Sequence, residues 1–151
     1  MPPPLPDRGA DSPVPRPGPG NLCSLRDWDN RLAVLVRDIE VRPDNLDAQA
    51  VNVHNEIVVK AYTLLCDEVE RCGKPWDARA RKRFKDSYSG TANKWPAYRE
   101  ALAELRLARD RRRSAVSPMT RLARPRSTYI TALSRFQREF SQTLGFFFPG
   151  S

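Results

Sequence analysis

Residues 74–113, KPWDARARKRFKDSYSGTANKWPAYREALAELRLARDRRR, decide how this chain reads. Apolar residues recur here at three- and four-residue steps among the cations, the pattern of a helix with one apolar face. Trp76, Ala80, Phe84 and Tyr88 share one edge of a helix predicted over 76–88, and Arg79, Arg81, Lys82, Arg83 and Lys85 cover most of the rest. Five cations so close together repel one another, so this helix is weak alone and an anionic partner would relieve it. The Ser-Gly-Thr-Ala-Asn composition within Ser87–Asn93 predicts a turn. A further helix then opens at Trp95, with Pro96 in the first turn, where its missing amide costs little. Its core face is Tyr98, Ala101, Leu102, Leu105 and Ala108. Arg109, Arg111, Arg112 and Arg113 gather at its end, where they suit the helix dipole.

Two helices are predicted before this stretch. Leu25, Trp28, Leu32, Leu35, Val36 and Ile39 form one stripe over 25–41, with Ser24 as N-cap, Asp27 as a weak capping-box partner and Pro43 as the stop. A second helix begins near Leu46 behind Asp44 or Asn45 and ends at Gly73, with Pro75 beyond. Its buried face is Ala50, Val53, Ile57, Val58, Ala61, Leu64, Leu65 and Val69. The β-branched run VNVHNEIVV leaves a strand over 51–59 as the alternative, but such a strand has nothing to pair with.

After residue 113, Ser114–Pro125 reads as a basic linker holding Pro118, Pro125, Arg121 and Arg124, with Arg126 just beyond. A last helix starts behind Ser127, buries Tyr129, Leu133, Phe136, Phe140 and Leu144, and ends at Gly145. Phe146, Phe147 and Phe148 follow. Exposed, they would be a partner-binding patch, and at least two of them are expected to fold back.

At 151 residues the chain fits one domain. Residues 1–21 are excluded from it: residues 1–20 alone hold eight of the fourteen prolines and three of the seven glycines, which bury too little to offset their ordering entropy. The expectation is a disordered, partly polyproline arm, with a PxxP spacing at Pro3–Pro6 and a further proline cluster at Pro13–Pro17 that fit an SH3-like groove. The fold expected over 22–148 is an all-α bundle of four or five helices. No apolar run is long enough to span a membrane, and the N-terminus lacks the pattern of a secretory signal. Three cysteines, Cys23, Cys66 and Cys72, at no framework spacing point to free thiols in a reducing compartment, nucleus or cytoplasm.

The net charge of +8 is unevenly spread: residues 1–20 are neutral, 21–75 carry −3 and 76–151 carry +11. Arginine supplies 21 of the 26 basic residues, and its guanidinium forks onto phosphate and stacks on bases. A charge run is by default a solvated helix face. Clustering, the arginine bias and the flanking Trp76, Phe84, Tyr88, Trp95, Tyr98 and Tyr129 favour contact with nucleic acid. An aromatic ring, however, cannot fill the core and stack on a base with the same face.

No catalytic, metal or cofactor set emerges. His54 and Cys66 are twelve residues apart, about 18 Å along one helix, so they form no thiol–imidazole pair. Cys66-x5-Cys72 has no zinc-site spacing, no phosphate-loop or nucleophile-elbow pattern occurs, and Asp67, Glu68 and Glu70 read as a solvated face.

Asp27-Trp28, the helix over 48–72, Lys74-Pro75-Trp76, the Arg-rich helix, Trp95-x-x-Tyr98-Arg99 and Arg135-Phe136-Gln137-Arg138-Glu139-Phe140 follow one another in an order that resembles a known region. It is the helical linker between endonuclease and reverse transcriptase in non-LTR (LINE-like) retrotransposon polyproteins. The resemblance spans about 27–144; that family often has two adjacent tryptophans where this chain has Trp76-Asp77. It implies a nucleic-acid-associated helical module and carries over no catalytic residue.

The expectation is therefore a non-enzymatic module that binds RNA or DNA largely without sequence preference. Its contacts would be Arg79, Arg81, Lys82, Arg83, Lys85, Arg109, Arg111, Arg112, Arg113, Arg121, Arg124 and Arg126. The alternative is a protein–protein interaction module that uses the acidic–basic asymmetry, with the proline arm or Phe146–Phe148 as docking elements.

Overall fold

The computed structural model describes residues 19–42 and 48–149. Among them the chain is all-α: α1 Pro19–Val41, α2 Ala48–Cys72, α3 Ala78–Asp110 and α4 Val116–Phe147, with no strand. The arm up to residue 18, Pro43 and the caps at Asp44 or Asn45 lie outside the described residues, as do the side chains of Cys23, Ser24 and Ala50. α1 opens at Pro19, so Ser24 lies inside it rather than capping it, and Asp27 pairs with Arg31 at 3.0 Å instead of closing a capping box. Residues 51–59 are helical, which removes the strand alternative. Gly73, at φ +72, stops α2 as expected, in the left-handed region open to glycine.

Two sequence expectations fail at the same kind of place. The turn at Ser87–Asn93 does not exist: α3 runs unbroken for 33 residues from Ala78. The linker at Ser114–Pro125 is mostly helix, because α4 begins at Val116 and passes through Pro125 and Ser127 without a break. It also passes Gly145 and ends two residues later. Pro96 likewise sits mid-helix, well past the first turn.

What overrides the local breakers is a seam of large rings between α3 and α4. Phe84, Ser87, Thr91, Trp95, Tyr98, Leu102 and Leu105 repeat at three- and four-residue steps and are buried, as are Leu122, Tyr129, Leu133, Phe136, Phe140 and Phe147 across from them. Tyr98 stacks on Tyr129 at 5.2 Å and Phe84 on Phe136 at 5.6 Å, while Trp95 meets Tyr129 at 5.3 Å. Each buried aromatic removes on the order of 150–250 Å² from water. That sum outweighs the roughly 3 kcal/mol that an interior proline costs a helix. Polar residues in the supposed turn are satisfied inside the helix: Ser87 Oγ donates to Phe84 O at 2.7 Å and Thr91 Oγ1 to Ser87 O at 2.9 Å. Thr91 Oγ1 also reaches Ala132 O on α4 at 3.1 Å, so the stretch is a close helix–helix contact.

The helices alternate in direction. α1 lies along the C-terminal half of α4, where Gln137 Nε2 donates to Asp29 Oδ1 at 3.1 Å. α2 lies along the N-terminal half of α3, from His54 beside Trp95 to Tyr62 stacked flat on Tyr88 at 3.9 Å. By that register, α3 and α4 continue beyond the described ends of α1 and α2 as a two-helix projection of roughly two turns. Its tip is the turn at 111–115, closed by Arg113 N donating to Ala108 O at 2.7 Å and Arg112 N to Arg109 O at 3.1 Å. Arg112 takes φ +54 there, the left-handed position where this motif ordinarily holds glycine.

Replacing Gly90 separates a helix from a turn. A Cβ at Gly90 meets nothing within 4 Å. Gly90→Ala is therefore expected to raise unfolding stability in urea by about 0.5–1 kcal/mol, the propensity difference between the two residues in a helix interior. A loss of stability would restore the turn.

Candidate nucleic-acid interface

The continuous α3 sets the geometry of the candidate residues. Arg79, Arg81, Lys82, Arg83 and Lys85 occupy its first turns, where Asp77 Oδ2 caps the helix by accepting from Ala80 N at 3.1 Å. Arg109 lies in its last turn, Arg111, Arg112 and Arg113 form the tip, and Arg121, Arg124 and Arg126 return on α4. So the structure merges the tip residues of α3 and α4 into one group and leaves 79–85 as another. The far ends of the two groups, Arg79 and Arg111, stand about 48 Å apart along the helix axis, and Lys85 and Arg109 about 36 Å.

Eleven of the twelve side chains are exposed, and Arg126 is half-buried. Three are engaged by the chain's own carboxylates: Lys82 with Asp86 at 2.8 Å, Arg121 with Glu104 at 3.0 Å, and Arg83 more loosely with Glu139 at 3.9 Å. Arg81 lies 5.9 Å from the centre of the Trp76 ring. Among the described residues, Arg79, Arg81, Lys85, Arg111, Arg112, Arg113, Arg124 and Arg126 make no ion pair.

The aromatics sort differently from the expectation. Phe84, Trp95, Tyr98 and Tyr129 are buried in the seam and offer no face to a base. Burial also drives the Tyr129 phenol well above its usual range, so its proton stays on. Tyr62, Trp76 and Tyr88 are half-buried beside the 79–85 group, Tyr88 with one face stacked on Tyr62. Tyr62 was not among the flanking aromatics singled out from sequence, because it belongs to a different helix from the cations and only packing brings it to them. The apolar tail is also mostly committed. Phe147 is buried and Phe148 packs on the core, while Phe146 stays 62% exposed. Lys74 Nζ donates to Phe146 O at 3.2 Å and sits 5.2 Å over its ring, closing the C-terminus of α4.

Three other polar groups matter. Glu68, expected on a solvated face with Asp67 and Glu70, is fully buried and holds Arg71 at 3.1 Å. Cys66 and Cys72 are free thiols, and burial raises the Cys66 pKa, keeping it protonated and weakly nucleophilic. Among the described residues no three His, Cys, Asp or Glu side chains come together as a metal set, and no helix is long and apolar enough to cross a membrane. The chain matches no family model, no curated protein and no solved structure.

His54 is 2% exposed beside Trp95, and its Nδ1 has no hydrogen-bond partner. Burial lowers its pKa from 6.5 to about 4, against a smaller upward pull from Asp38. The folded state thus binds its proton less readily than the unfolded state, so stability rises with pH. The His54 contribution is fully present above about pH 6.5 and is lost as pH falls towards 4, up to about 3 kcal/mol in all. His54→Leu should flatten that part of the curve. Chemical denaturation of both proteins from pH 7 to pH 4 measures it, and parallel curves would contradict it.

Proposed function

We propose that this chain is a non-enzymatic nucleic-acid-binding helical module, of the kind its resemblance to the LINE-like linker region implies. The observation that carries the reading is the set of eight exposed or half-exposed candidate cations without an ion pair among the described residues. Such groups keep their full charge for an outside anion, and arginine makes paired, directional bonds to phosphate. Rigid helices hold their backbones in place, so the ordering that binding requires is confined to the side chains. Contacts of this type are to the backbone, so binding is largely indifferent to sequence. Two groups set far apart on a stiff rod suit a long polyanion better than a compact ligand.

Arg112 supports the reading independently. A non-glycine residue in the left-handed region costs roughly 1 kcal/mol or more, and glycine would remove that cost. Holding an arginine at the tip in spite of it is consistent with a use for the charge.

Fluorescence anisotropy with labelled RNA and DNA tests the proposal. With six to ten phosphates engaged, affinity should fall on the order of a thousandfold or more between 50 and 200 mM salt. Charge reversal should use unpaired positions, since Lys82 and Arg83 hold Asp86 and Glu139. Arg79→Glu with Lys85→Glu, and separately Arg111→Glu with Arg113→Glu, should each weaken binding while leaving the circular dichroism spectrum unchanged. A flat salt dependence, or unchanged binding in both double variants, would contradict the proposal.

A further inference from the structure

Between the second half of α2 and the start of α3 lies an open groove of about 750 Å³. Its two walls differ. Arg81 and Lys85, one helical turn apart on α3, stand on one side with Lys82 between them, and Asp67 and Glu70 stand on α2 opposite. Tyr62 and Trp76 line it between the walls. One face of Tyr62 is taken by Tyr88, stacked at 3.9 Å and 6°, and Trp76 is held edge-on by Phe147 at 5.5 Å. Both rings are thus fixed by the core and still line the groove. The Cys66 thiol beside them is kept neutral by burial.

Each feature matches one part of a nucleotide. The volume falls in the range of small-molecule sites, enough for a base and its sugar. Rings fixed from behind give a stacking surface that costs little ordering, and every base has a face to stack. Arg81, 5.9 Å over the Trp76 ring, and Lys85 make no ion pair among the described residues and stand one turn apart along the rim, where the chain's phosphates would run. Carboxylates on the far wall repel phosphate but accept from the amino groups on a base edge. A wall that repels backbone and accepts from bases admits a nucleotide in one orientation only. A duplex cannot stack a base on these rings, because its base faces are stacked inside and it presents only phosphates, sugars and base edges.

We propose that this groove takes an unpaired base, so that the module prefers single-stranded over double-stranded nucleic acid. The proposal rests on the nucleic-acid reading above and adds strandedness to it. Trp76 is the stacking ring, Tyr62 lines the same groove, and Arg81 and Lys85 hold the flanking phosphates. At the tip turn, more than 40 Å from Trp76 along α3, no half-exposed ring stands among the described residues, and Arg111, Arg112 and Arg113 contribute charge alone.

The test is anisotropy titration of the full chain against a labelled 20-nucleotide single strand and the matching 20-base-pair duplex, at one salt concentration. The wild type should bind the single strand about tenfold or more tightly than the duplex. Trp76→Leu should lose about tenfold in single-strand affinity with duplex affinity unchanged, and Trp76→Phe, which keeps a ring, should retain most of the preference. Phe84 and Phe147 touch Trp76, so thermal melting checks that both variants remain folded, and Lys85→Ala, at an exposed position, gives a second reading that does not touch the core. Equal affinity for both polymers in the wild type, or equal weakening of both in Trp76→Leu, overturns the groove proposal and leaves the phosphate-binding reading standing. Binding to neither polymer overturns both.

Discussion

The stacking of rings across the α3–α4 interface is the constraint on which the rest depends. Tyr98 on Tyr129 and Phe84 on Phe136 fix the register of two long antiparallel helices, with Trp95 wedged against Tyr129 between them. Because side chains on a helix are held at a fixed rise and angle, locking four rings locks the whole length. α1 and α2 then cover most of the hairpin's length, burying Leu25, Leu32, Ile39, Ala61 and Leu65 completely. The last two turns or so, with the tip, project.

That division explains where the charge ends up. The hairpin's inner faces are filled by rings and aliphatic side chains, so its many cations have only the outer surface and the ends. Carboxylates are scarce on these helices, with six acids against seventeen bases from residue 76 onward. Local pairs such as Lys82–Asp86 and Arg121–Glu104 therefore neutralise a minority. Exposed pairs of this type contribute about 0–1 kcal/mol to stability, so the fold is not held together by its charges. Their arrangement is free to serve recognition.

Much of this was legible in the chain and some was not, for identifiable reasons. The all-α class, the stripes on α1 and α4 and the stop at Gly73 follow from periodicity and one special backbone angle. The continuity of α3 does not follow from local reading. Ser-Gly-Thr-Ala-Asn has the composition of a turn, and its helical state rests on hydroxyl bonds to carbonyls and on Thr91 reaching Ala132, forty-one residues on. The same holds for Pro125 in α4, where burial of Leu122 and Tyr129 on either side overrides a local breaker. Glu68 and His54 read as ordinary polar positions, and only the packing of neighbouring helices buries them. At the candidate interface, the cationic residues were visible as runs, but their division into two groups along the rod and the meeting of Tyr62 and Trp76 in one groove arise from the tertiary fold.

The central claim is that α3 is one rigid rod that holds its two basic groups apart. The most direct measurement is the distance between nitroxide labels at positions 79 and 111, by pulsed electron resonance, in a chain whose three cysteines are replaced. An unbroken helix over those thirty-two steps predicts a single narrow distribution near about 48 Å. A distribution centred near half that value, as a chain folded back at residues 87–93 would give, would contradict the account.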